Sequence, residues 1–224
     1  MKTQKIILLL FIAFVGSSVA LVYAAPSEHY ISDFSGGRHY YVQETSYNCG
    51  PASIQMVLDW LGAQPLPTQV ELATELNIPV GGPALINMMS LPFQSRGFEV
   101  EARQGLGIDN LKESIASGHP VIILMYIDAG AVYGHYVVVV GYNETGVFVH
   151  DPYSQNFGTI SREVGANVFI SYDSLTTLWS YPPGQWGLII KSGPTDTGPL
   201  EPIIGFAVVV LGIAAVLIIL KKRI

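Results

Sequence analysis

The sequence predicts an α+β domain in which a helix that begins at a cysteine packs on an antiparallel sheet. Three observations carry this. Helical patterns crowd the first part of the chain and strand patterns the later part. Two apolar runs, residues 136–142 and 147–150, flank Asn143-Glu-Thr-Gly146, which reads as a hairpin turn. The single cysteine, Cys49, stands between Asn48, a good helix cap, and Pro51, which is tolerated only in a first helical turn.

Taken in order, residues 26–37 form a polar spacer and residues 38–43 read as extended. The helix from Cys49 runs to Leu61 and ends at Gly62; only Ser53, Gln55 and Asp59 interrupt its apolar surface, so it belongs in the centre of the fold. Thr68-Gln-Val-Glu71 is a capping box that opens a second helix to about Leu76. A third helical stretch covers 84–95, with Pro92 bending or splitting it, and 98–103 alternates like a strand. Asp109 caps a fourth helix that stops before Gly118. Strands follow over 121–127, 136–142 and 147–150, then a short helix at 174–179 and a closing strand at 186–190.

The two ends differ from the middle. Lys2 and Lys5 precede an apolar run and small-residue sites, so residues 1–25 read as a signal peptide or an uncleaved N-terminal anchor. Residues 26–192 form the domain and 193–201 a stalk. Residues 202–220 carry no charge and span about 28 Å as helix, which fits a transmembrane helix. The basic tail 221–224 should stay cytoplasmic, leaving the domain outside the cell membrane. A sorting tail that is removed is the competing reading of the same segment.

Between Pro26 and Glu201 stand all 17 acidic residues but only 6 of the 11 basic ones, a net charge of −11. Nucleic acid is a poor partner for such a surface. One cysteine and five scattered histidines give no metal-ligand spacing, no P-loop is present, and no nucleotide or other cofactor is implied. Asn143-Glu-Thr145 matches the N-glycosylation pattern.

An unpaired cysteine in an exported protein is either inert core or a reactive thiol. At a helix N-terminus the macrodipole and free N–H groups favour the thiolate. Such a nucleophile needs a base, a group to orient that base, and oxyanion donors. His29 and His39 fall in the polar leader and His119 in a turn, whereas His135 follows Gly134 and opens a strongly apolar strand. The hairpin sets the start of one strand against the end of the next, so His135 and Asp151 are expected to be cross-strand neighbours. Gln43 lies one short loop before Cys49, where its amide can donate to an oxyanion together with the Cys49 N–H.

Gln43, Asn48-Cys49-Gly50-Pro51-Ala52-Ser53, Gly134-His135-Tyr136 with its valine run, and Asp151-Pro152 resemble the papain-like cysteine peptidases of family thirty-nine. That family includes bacteriocin-processing peptidases that cut after double-glycine leaders. The resemblance covers about residues 41–190 and implies a papain-like fold and a peptide or protein substrate. It implies Cys49 as nucleophile, His135 as general base and acid, Asp151 as its orienting residue and Gln43 as oxyanion donor. The exporter peptidases are fused to an ATP-driven transporter, unlike this small external domain. Gly36-Gly37 and Gly81-Gly82 read as loop glycines. Two other functions fit the same residues: a membrane-tethered peptide-binding module without catalysis, and a thiol acyltransferase.

Overall fold

Proline sets where the first helix starts. In the computed structural model, which describes residues 26–191, α1 spans Cys49–Trp60 with Pro51 in its first turn, where a missing N–H forfeits no helical bond. Asn48 occupies the cap position, yet its side chain makes no capping bond. The entry is held instead by the Asn48 N–H, which donates to the Thr45 carbonyl at 3.2 Å. Every residue from Cys49 to Leu58 is buried, the fate expected of a helix apolar on nearly all sides.

The second helix, α2 (Gln69–Glu75), has the expected capping box: Thr68 Oγ1 accepts from the Glu71 N–H and Glu71 Oε2 from the Thr68 N–H. The stretch expected to be helical over 84–95 shrinks to α3, Leu91–Gln94. Pro92 has no N–H to continue a helix from the preceding turn, so the chain can start one there but cannot run through. After β2 (Val100–Arg103), α4 covers Ile108–Ala116. Its cap is Gly107 rather than Asp109; Asn110 Oδ1 accepts the Gly107 N–H at 2.9 Å, while Asp109 sits in the first turn.

The strands β3 (Val121–Tyr126), β4 (Gly134–Tyr142), β5 (Gly146–Asp151), β6 (Gly165–Ser171) and β7 (Gly187–Ile190) join β2 in one antiparallel sheet of order β2-β7-β3-β4-β5-β6. A short strand β1, His29–Tyr30, pairs with the far end of β4. Two strands are therefore new relative to the sequence reading. β1 sits in what reads as a polar spacer, where Ile31 and Phe34 are nevertheless fully buried. β6 opens with Gly165 and Asn167 at positive φ, and only Val168 and Ile170 face inward, too short an alternation to read as a strand. Helix α5 (Tyr172–Leu178) is capped by the Ser171 side chain.

α1 packs against β4, whose valines 137–140 are fully buried. The N-terminal segment clasps that layer: Trp60 Nε1 donates to the Ser32 carbonyl, and Asp59 accepts from both His39 and Tyr41. His39, though in the polar leader, is thus bound in place. Gly36, Gly37 and Gly81 all have φ between 74° and 77°, which explains those glycines as turn residues. Asn143 Oδ1 closes the β4–β5 turn by accepting from the Thr145 and Gly146 N–H groups.

The signal peptide or anchor, the stalk, the transmembrane helix and the basic tail lie outside the described residues. Among the described residues no helix is long and apolar enough to cross a membrane.

Gly146 marks the tightest strand contact. A Cβ there would press on the Ile170 carbonyl oxygen and sit 2.7 Å from the Phe169 ring. Gly146→Ala should lower stability by about 1–3 kcal/mol, read as a lower urea midpoint at unchanged slope.

Candidate active site

Gly134 lets the chain pass close beneath a tyrosine. A Cβ at Gly134 would lie 2.7 Å from the Tyr181 ring, so the strand that carries His135 starts with the residue that fits there. His135 follows, 1% exposed. Its Nε2 bonds Asp151 Oδ1 at 2.7 Å, and Asp151 is itself fully buried.

The contact expected from the turn is present, but its register is not a simple facing pair. β4 and β5 pair Tyr142 with Val147 and Gly141 with Phe148, and then, beyond a bulge at Val140, Val139 with Val149 and Val138 with His150. Continuing that register sets Asp151 opposite Val137, two residues from His135 and on its face of the sheet. Without the extra residue Asp151 would oppose Val138, whose side chain points the other way. The bulge therefore aims the carboxylate at the imidazole.

Cys49 stands at the first position of α1, 9% exposed, beside His135, whose ring and charge act on the thiol. With Nε2 held by Asp151, Nδ1 is the ring nitrogen left for sulfur. The backbone N–H groups of Tyr136 and Gly50 also reach the sulfur. Gly50 permits a close approach here, since a Cβ on it would lie 2.7 Å from the Ala84 side chain.

Charge is redistributed along this line. Burial pushes the Cys49 thiol up, but the His135 hydrogen bond and charge, with the two N–H groups, outweigh it and leave the thiol below its ordinary value. Burial pulls the His135 ring down, yet the Asp151 charge and hydrogen bond, then Cys49, raise it to about 9. Burial pushes Asp151 up, while His135, Arg162 and the Tyr153 N–H hold it below the usual carboxylate range. Both shifts favour a thiolate facing an imidazolium.

Gln43 is buried beside this line but is not joined to it. Its Nε2 donates to the Thr45 carbonyl at 2.8 Å, and its Oε1 has no partner among the described residues. Its backbone N–H donates to the Pro152 carbonyl, tying the loop before α1 to the residue after Asp151. Of the four residues singled out in sequence, three are in contact and the fourth is adjacent through backbone.

Sequence reasoning missed the other contacts of Asp151. The Tyr153 N–H donates to Oδ1 at 2.9 Å, the Tyr40 hydroxyl to the Asp151 carbonyl at 2.9 Å, and Arg162 Nη1 to Oδ2. Backbone donors leave no sequence signature. Arg162 left one weak signal, as one of only 6 basic residues between Pro26 and Glu201. His150 is fully buried, yet it stays neutral: Nδ1 accepts from the Asn167 N–H, the rings of Phe34 and Tyr40 pack against it, and burial lowers its pKa. No group of residues able to hold a metal is found among the described residues. A surface hollow of about 710 Å³ lined by Ala63, Pro65 and Arg96 contains none of the four residues, so chemistry rather than volume locates the site.

Residues 38–177 match the family described as Peptidase_C39 like. The chain belongs to that family. It is a cysteine-type peptidase of the C39-like kind, with the α+β fold and antiparallel sheet such enzymes share. Among solved structures it resembles a C39-like peptidase from Bacillus anthracis, with a TM-score of 0.55 at 15% identity over 75% of this chain and 100% of that one. It also resembles xylellain, a cysteine protease from Xylella fastidiosa, with a TM-score of 0.50 at 15% identity over 76% and 88% of the two chains. At such identities the likeness speaks to fold. No curated protein matches this C39-like peptidase.

The ion pair has a defined pH window. Thiolate forms once pH exceeds the lowered Cys49 value, and imidazolium persists until His135 loses its proton at about 9. Alkylation of Cys49 by iodoacetamide at pH 7 should be faster than that of a model thiol and fall to the model rate in His135→Ala. The alkaline limb of kcat/KM should lie near pH 9.

Proposed function

We propose that the domain cleaves peptide bonds by acyl transfer through Cys49, with His135 as proton carrier and Asp151 as the residue that orients it. The observation carrying this is the buried line from the Cys49 thiol through the His135 ring to the Asp151 carboxylate. Each member supplies what the next step needs.

The Cys49 thiolate attacks the carbonyl carbon of the scissile bond, forming a carbon–sulfur bond while the carbonyl oxygen takes the electron pair. His135 gives its proton to the leaving nitrogen, the carbon–nitrogen bond breaks, and a thioester remains. Neutral His135 then takes a proton from water as its oxygen attacks the thioester; the carbon–sulfur bond breaks and the thiolate returns. Asp151 holds the ring in the orientation that presents Nδ1 to sulfur and favours its charged form.

For the oxyanion, the Cys49 N–H has no helical acceptor because it lies in the first turn. Gln43 Nε2 carries two hydrogens, and the Thr45 carbonyl takes one of them. That bond orients the amide while leaving the second hydrogen for the substrate. Substrate contacts fall to two segments joined by chain to the reacting groups: exposed Tyr47 just before Cys49, and exposed Val132 and Tyr133 just before His135.

The proposal extends to location. The uncharged run at 202–220 followed by Lys221, Lys222 and Arg223 supports a domain tethered outside the cytoplasmic membrane. External protease should digest the domain on intact cells, and removing residues 193–224 should release it from the membrane fraction; a domain protected from external protease contradicts the placement.

Cys49→Ala should abolish turnover of a peptide substrate. Gln43→Ala should retain measurable activity with kcat lower on the order of 100-fold or more, the usual consequence of losing one oxyanion donor. Full activity in Cys49→Ala overturns the mechanism.

A further inference from the structure

Arg162 lies outside the residues through which the proposed reaction passes, yet it is the most heavily engaged basic side chain near them. It sits in the loop leading to β6, with a side chain only 14% exposed. Nη1 donates to Asp151 Oδ2 and, at 3.1 Å, to the Glu163 carbonyl. Nε donates to the Ile127 carbonyl at 2.7 Å. Ile127 belongs to the connection between β3 and β4, which ends in Gly134-His135. One rigid guanidinium fork thus grips both the carboxylate and the turn that delivers the imidazole.

A second tie runs beside it. Ser161 donates to Asp128 through its N–H at 2.6 Å and its hydroxyl at 2.7 Å. The 161–162 pair therefore fastens the loop before β6 to residues 127–128. The guanidinium thus joins the carboxylate to the connection between β3 and β4, with Nε and Nη1 each engaged.

We infer that Arg162 is a positioning residue that locks the Asp151 carboxylate and the His135-bearing turn in one geometry. The inference rests on the reading of Cys49, His135 and Asp151 given above. Its physical basis is the division of labour at the carboxylate. His135 Nε2 and the Tyr153 N–H both bond Oδ1, and Arg162 alone among the described residues bonds Oδ2. Deleting the guanidinium leaves a buried carboxylate oxygen without a donor, which disfavours the charged form and frees the group to rotate.

The groups facing Asp151 are few. They are His135 on β4, Arg162 on its loop and the Tyr40 hydroxyl on the N-terminal segment; Cys49 on α1 faces it through His135. His150 precedes it on β5 and is kept neutral by burial. With Arg162 gone, Asp151 takes up a proton at higher pH and supports the imidazolium less well. The acid limb of activity should then move up and the alkaline limb down.

The test is kcat and KM across pH for Arg162→Met and Arg162→Lys in the full chain, with the pH dependence of Cys49 alkylation and the unfolding midpoint measured alongside. Arg162→Met is expected to lose on the order of 10- to 100-fold in kcat with KM little changed, and to show a narrowed pH profile. Arg162→Lys keeps the charge but cannot span Asp151 and Ile127 together, so it should recover the acid limb while kcat stays low. Limb positions are independent of how much protein is folded. Unmoved limbs with reduced amplitude, or an alkaline limb that rises, overturn the inference. Failure of the underlying mechanism looks different, since Cys49→Ala then remains active whatever Arg162 does.

Discussion

Burial alone would leave the Cys49 thiol protonated and the His135 ring neutral, because a weakly polar interior penalises both charges. The opposite holds here because Asp151 is also buried, bonded to the imidazole at 2.7 Å, and itself kept ionised by His135, Arg162 and the Tyr153 N–H. One carboxylate therefore favours the charged form of the imidazole, and that ring, with the Tyr136 and Gly50 N–H groups, favours the charged form of the sulfur. A buried charge of this sort persists only if every partner stays in place, since an uncompensated one is strongly destabilising.

The fold serves that requirement through three rigid elements. α1 holds the sulfur at its first residue, with nine further buried positions behind it. β4 holds the imidazole at its second residue and is hydrogen-bonded along both edges, to β3 and to β5. β5 ends on the carboxylate, and the bulge at Val140 sets which way it points. Loops then join these elements near those three side chains: Gln43 to Pro152, Tyr40 to Asp151, and Arg162 to Ile127. The N-terminal segment belongs to the same structure, because β1 extends the sheet beside β4 and Asp59 gathers both His39 and Tyr41.

What the sequence revealed follows from which interactions are local. The cysteine helix, the capping box at Thr68 and the valine strand have causes within a few residues, and all three are present. The His135–Asp151 contact was legible from hairpin arithmetic, although the observed register reaches it diagonally through a bulge that no residue type at Val140 announces. α3 is shorter than its apolar pattern because Pro92 allows a helix to begin but not to pass through. Asn48 marks the helix start without capping it. Gln43 is buried as a site residue would be, but its amide is turned toward Thr45, a contact between side chain and backbone that spacing cannot reveal. Arg162 stayed hidden because its acceptors at Ile127 and Asp151 come from two segments distant from it in sequence. The α+β class and the antiparallel sheet were readable for the opposite reason, as patterning repeats along each element.

The state of one ring tests this account most directly. Nitrogen-15 NMR of the His135 imidazole at pH 7, assigned by its loss in His135→Asn, reports whether both nitrogens carry protons. An imidazolium is expected in the parent protein, persisting to about pH 9 and titrating at lower pH in Cys49→Ala. A neutral ring at pH 7 in the parent, with Cys49 present as thiol, would contradict it.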